Sequence, residues 1–143
     1  MPAPTDLKPF VDFFEQLKPE DLPQLGRFYA ADTRFKDPFN EVVGVEAVAA
    51  IFGHMFANLD GPRFEVRDLI VQGDQAFLSW DFVFRMRRFN RAEQRIRGGS
   101  HLRFGPDGLI TEHRDYWDAA EELYEKLPVL GGLMRWLKKR AAS

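Results

Sequence analysis

Between residues 75 and 88 the sequence reads QAFLSWDFVFRMRR, and apolar residues recur at every second position along most of it. Ala76, Leu78, Trp80, Phe82, Phe84 and Met86 fall on one side of an extended chain, and Phe77, Ser79, Asp81, Val83 and Arg85 on the other. A period of two sustained this long predicts a strand, and its wholly apolar even face must be covered by a second layer. What the flanking segments supply as that layer decides the fold class.

Before this strand the chain reads mostly as helix. Residues 5–17, TDLKPFVDFFEQL, begin at a candidate N-cap, Thr5, and place Phe10, Phe13, Phe14 and Leu17 at helical spacing. A short helix over 20–30, a short strand TRFKDP stopped by Pro38, a loop NEVVG and a helix over 44–58 follow. After it the chain reads as sheet. Residues 62–72 form a strand ending at the Gly73-Asp74 turn, 91–104 a long strand, GPDG at 105–108 a turn, and 110 onward another strand. Helices over 119–126 and 129–140 close the chain, the first capped by Asp118. Helices followed by a meander of strands predict α+β. The expected architecture is one domain over 1–143, a cone-shaped, curved antiparallel (mixed) sheet wrapped around N-terminal helices, with a C-terminal helix near the pocket mouth.

Fourteen Phe residues among 143 suggest large ring surfaces in the core and a lining suited to an apolar ligand. A net charge of -2 gives no reason to expect nucleic acid or an anionic membrane as partner. With no Cys, and with His54, His101 and His113 far apart, no metal site is expected. MPAPTDLKPF has neither the apolar core nor the basic flank of a signal peptide, so a soluble, cytoplasmic protein is expected. The apolar stripe Leu130, Leu133, Met134, Trp136 and Leu137 is expected to cover the domain's own mouth, with a membrane or a partner surface as the other option.

The polar residues that stand out lie in ITEHRDYWDAAEEL, residues 110–123. Period two groups His113, Asp115 and Trp117 on one side, and Glu112, Arg114 and Tyr116 on the other. A histidine and a carboxylate two residues apart on one face can share a proton, which suits acid–base chemistry near neutral pH. The same residues serve as plain surface if Asp115 pairs with Arg114 or Arg103. Asp81, among aromatic neighbours, needs either solvent, a cross-strand arginine or a ligand. Asp37, before Pro38, reads as a turn residue or a catalytic acid. Of Ser100 and His101, only one can face inward.

FYAADTRFKDP followed by GVEAVAAIFGHMF, and HLRFGPDGLITEHRDYWD near the end, resemble the opening and closing of the nuclear-transport-factor-2-like superfamily, and the chain looks closest to its SnoaL-like branch. That superfamily also holds ketosteroid isomerases and limonene-epoxide hydrolases. The resemblance places Asp37 at the isomerases' proton-shuttling aspartate, and Phe13 and Ser100 where they keep the tyrosine and aspartate of the oxyanion hole. It places Asp115 at the catalytic aspartate of the hydrolases and cyclases, Asp81 and Val83 where the hydrolases keep an arginine and a second aspartate, and Ser79, Asp81, Ser100, His113 and Trp117 among pocket positions. Tyr29 and Phe52 complete the expected lining.

The resulting expectation is acid/base chemistry by Asp115, His113 and Asp37 on an apolar small molecule, by isomerisation, cyclisation or hydration, with no cofactor, in a homodimer formed through the outer sheet face. The competing expectation is a non-catalytic binding or dimerising module on the same fold.

Overall fold

The computed structural model of the chain describes residues 6–87, 91–122, 136, 137 and 139–141. Thr5 and most of the expected C-terminal helix lie outside these residues. Helix α1 spans Lys8–Glu15 and buries Phe10 and Phe14, the two rings four residues apart on one face. Pro19–Arg27 is a 3-10 helix where the sequence pattern predicts an α-helix over 20–30. Pro23 lies inside it and has no N–H to give an i→i−4 ladder. The chain extends four residues before the TRFKDP motif, and Tyr29 and Ala30, expected as the end of a helix, already belong to β1, Tyr29–Lys36.

Residues 40–44, expected as a loop, contain β2, Glu41–Val43, which pairs antiparallel with β1 in the register Lys36 to Glu41 and Arg34 to Val43. The cause is Asp37, whose Oδ1 accepts the backbone N–H of Phe39 (2.8 Å) and Asn40 (2.6 Å) and so folds the chain back on itself. Helix α2 follows over Val45–Asn58. Strands β3 (Leu59–Gln72), β4 (Gln75–Met86), β5 (Glu93–Phe104) and β6 (Ile110–Tyr116) then form an antiparallel meander. Short helix α3, Ala119–Glu122, is capped by Asp118, whose Oδ1 accepts the Glu121 N–H at 3.0 Å.

All six strands join one sheet in the order β2-β1-β6-β5-β4-β3, mixed because β1 runs parallel to β6. Helix α2 packs on both β1 and β3. In a flat sheet those strands would stand about 19 Å apart, nearly twice the width of a helix. The sheet therefore curls around α2, remaining open at its edges, which is the expected α+β architecture. Bulges in β3 after Asp60 and after Val66 supply part of the bend. Among the described residues no helix is long and apolar enough to cross a membrane.

Candidate functional site

The curl leaves a cavity of about 380 Å³ between α2 and the inner face of the sheet. Its floor is apolar and buried: Phe35 from β1, Phe52 from α2, Phe64 from β3, Trp80 and Phe84 from β4, Ile96 from β5. Its rim holds Phe39, Asn40, His54 and Asn58, and Phe39, His54 and Asn58 are exposed. Asp37, Asp115 and Trp117 complete the polar side, with the Phe39 and Trp117 rings edge to face at 5.5 Å.

Asp115 is held from behind by a chain of buried groups whose donors can be assigned from their chemistry. The Trp80 indole can only donate, so its Nε1–H goes to Ser100 Oγ at 2.8 Å. The Ser100 hydroxyl proton is then available to Asp115 Oδ1, 2.5 Å away. On the other side Tyr29 Oη lies 2.7 Å from His113 Nδ1, and His113 Nε2 lies 2.6 Å from the same Asp115 Oδ1. Burial, and then the charge of Asp115, push the Tyr29 phenol well above its ordinary value, so it stays protonated, and with no other acceptor for it among the described residues its O–H goes to His113 Nδ1. That assigns His113 as the neutral tautomer with its proton on Nε2, donating to the carboxylate. One arrangement satisfies every group. It leaves Asp115 Oδ2 with no hydrogen bond among the described residues, on a side chain that lines the cavity.

The backbone explains why these groups meet. His113 and Asp115 share the inner side of β6, and the β5–β6 register sets Ser100 opposite Asp115. His101 therefore faces outward, where Nε2 meets Gln75 Oε1 at 2.8 Å. Register also sets Gly98 opposite Trp80. A Cβ on Gly98 would fall 2.5 Å from the Trp80 ring, so the missing side chain is what lets the indole lie flat against β5.

Several expected positions land elsewhere. Ser79, Asp81 and Val83 lie on the sheet's other face, because the even, apolar side of β4 faces the helices and cavity. Asp81 is bound there by Arg67 and by Arg95 (2.6 Å), Ser79 Oγ meets Asp68, and Val83 lies in register between Arg63 and Arg95. Phe13 packs on Phe28 at 4.9 Å and lies under Arg27, away from the cavity. Asp37 does line the cavity, but both its oxygens are engaged by the Phe39–Asn40 turn. Phe52, Trp117 and Asp115 line the cavity directly, while Tyr29, His113 and Ser100 stand behind Asp115. Arg114 stacks on Tyr116 and Arg103 pairs with Glu112, so neither arginine takes Asp115. Sequence reasoning missed Trp80, Phe64, Phe82, Phe84 and the rim residue His54 as lining. The even parity of β4 was the signal for three of them. Among the described residues no group of acids and histidines could hold a metal ion.

Residues 10–113 match the family model of the SnoaL-like domain. No curated protein matches the chain. Similar solved structures include a Catenulispora acidiphila hypothetical protein with a ketosteroid isomerase-like fold, in complex with trimethylamine (16% identity, TM-score 0.70, covering 85% of this chain and 91% of that one). An NTF2-like protein of unknown function from Burkholderia pseudomallei matches at 19% identity and TM-score 0.69, covering 80% of this chain and 92% of that one. An epoxide hydrolase of M. tuberculosis, limonene-epoxide-hydrolase-like, matches at 16% identity and TM-score 0.65, covering 81% and 84%. At these identities the structural likeness establishes the fold, and it is the NTF2-like one. With a carboxylate held by a histidine inside that curled sheet, and a family model covering most of its length, the chain belongs to the SnoaL-like domain family.

Proposed function

We propose that the protein is an acid/base enzyme acting on a small apolar molecule held in the cavity, with Asp115 as the proton acceptor and donor. The observation that carries this reading is Asp115 Oδ2, which meets no hydrogen-bond partner among the described residues and belongs to a carboxylate that lines an apolar cavity and is fixed through its other oxygen. Ser100 and His113 orient the group, and Tyr29 fixes the histidine tautomer. Isomerisation, cyclisation and hydration each need such a proton transfer and no organic cofactor. The epoxide hydrolase among the similar folds is consistent with the hydration branch.

A second reading, a non-catalytic ligand-binding module, is favoured by a different observation. Asp37 is occupied by its own turn, and no Lys or Arg among the described residues lines the cavity to stabilise a developing oxyanion. Phe13 lies outside and Ser100 is used on Asp115, so the pair of oxyanion donors in the steroid isomerases has no counterpart among the described residues.

Deuterium exchange at the α-carbons of a panel of apolar cyclic ketones, followed by NMR, together with hydration of terpene-sized epoxides, separates the two. Asp115→Asn is expected to lower turnover by about 10²–10⁴ while the substrate still binds. Binding without turnover in the wild-type protein would establish the module instead. We further propose that the outer face of the sheet, carrying exposed Ile70, Phe77 and Tyr116, pairs with a second copy of the chain.

A further inference from the structure

The charges around the cavity do not balance. Asp37 and Asp115 both line it, and neither meets a lysine or arginine among the described residues. The hydrogen-bond chain makes His113 a neutral donor, so it orients Asp115 without cancelling its charge. A carboxylate facing an apolar space loses hydration that a neutral occupant cannot replace. Around it stand aromatic rings from three strands and the β6–α3 junction: Phe64, Trp80, Phe82, Phe84, Phe35 and Trp117. Ring faces carry the negative lobe of the quadrupole and attract cations, best where water is excluded. Both features repel an anion and favour a positive charge.

We propose that the occupant of this cavity is an apolar organic cation, a protonated amine or a quaternary ammonium, whose nitrogen sits against Asp115 Oδ2 with its alkyl or aryl groups on the rings. The inference rests on the cavity being the ligand site, as above, and adds the charge class of the ligand. A bulky ammonium matches the apolar floor, and its single diffuse charge needs no directional donor in return. The volume of about 380 Å³ suits a small organic molecule and is too small for a macromolecular segment.

The test compares phenyltrimethylammonium with its neutral isostere tert-butylbenzene and with benzoate, by calorimetry and tryptophan fluorescence on the full chain. The cation is expected to bind at least tenfold more tightly than the neutral isostere, with no benzoate binding. Asp115→Asn is expected to erase that preference while tert-butylbenzene still binds, which also shows that the variant is folded. Trp117→Leu, which leaves the buried chain behind Asp115 intact, is expected to weaken the cation at least threefold more than the isostere. It carries the test if Asp115→Asn fails to fold. Equal binding of cation and isostere, or a preference that survives Asp115→Asn, overturns the proposal and leaves the cavity as a ligand site. Failure of all three probes overturns both the proposal and the cavity reading.

Discussion

Gly98 does more for the site than its missing side chain suggests. Three atoms of the Trp80 ring lie 2.5, 2.8 and 2.9 Å from where a Cβ would sit. Gly98→Ala must push the indole off β5, which loosens Nε1 from Ser100 and drives the ring into the cavity. The expected cost is about 2 kcal/mol, the usual penalty for overpacking, together with weaker ligand binding. Urea denaturation followed by far-UV dichroism checks it. Gly26→Ala is the matched control, with nothing within 4 Å of its added Cβ and no change or a slight gain expected. A Gly98→Ala protein as stable as wild type would mean the indole is not pinned. In the sequence, RGGS marks only a weak spot in a strand, because the reason for the glycine is a ring eighteen positions earlier that only the strand register brings across. His113 and Asp115 were different: two apart on a strand, they share a side by backbone geometry alone, and that needed no structure to see.

Strand β4 shows how far a period can be trusted. Alternation separated its faces correctly, but period two does not say which face meets the helices. Asp81 and Ser79 suggested that the polar side was the pocket. In the structure the apolar side is, and Asp81 sits beneath Arg67 and Arg95 on the opposite face. The residues that resolve it, on β3 and β5, are 14 positions away on either side, beyond the reach of local pattern. The hydrogen bond from Arg67, opposed by burial and aided by Arg95, holds the Asp81 carboxyl below its ordinary 3.8. A carboxylate whose pKa is lowered by folding adds stability above its unfolded value and loses it as pH falls through the folded one. Asp81→Asn is therefore expected to cost about 1–2 kcal/mol near neutral pH, a modest figure because both arginines are partly exposed and solvent-screened. The difference should vanish as pH falls below the ordinary carboxylate range. Urea midpoints measured from about pH 7 to pH 3 check this. Glu65, also lowered, first by its hydrogen bond to Arg95, keeps some acid slope in the variant. Parallel curves for the two proteins would show that Asp81 contributes nothing as a paired anion.

A curled sheet has one face filled by helices and cavity and another left to solvent or a partner. On the outer face Ile70 lies in register with Phe77, the Phe77 ring covers Gly99, and Gly99 lies in register with Tyr116. These form a diagonal apolar ribbon with exposures of 64% for Ile70, 40% for Phe77 and 47% for Tyr116. Beside it Arg63, Glu65, Arg67, Asp81, Glu93 and Arg95 pair with one another, while Arg97, in register with Asp81, and Arg114, stacked on Tyr116, add positive charge to the same face. In the proposed dimer a two-fold axis through the ribbon would set each ring against its copy, the self-complementary arrangement of a closed dimer. Sedimentation equilibrium at about 50 µM is expected to give the dimer mass, and a stable interface there would need to bury roughly 800 Å² per partner. Phe77→Glu places two like charges at the centre of that contact and is expected to shift the protein to monomer. Its affinity for the cavity ligand should stay within about twofold of wild type, because Phe77 points away from the cavity. A wild-type monomer at that concentration overturns the dimer, and a Phe77→Glu dimer would place the contact on another surface. If affinity fell together with the dimer, the outer face would be coupled to the cavity through β4, whose two faces share one backbone.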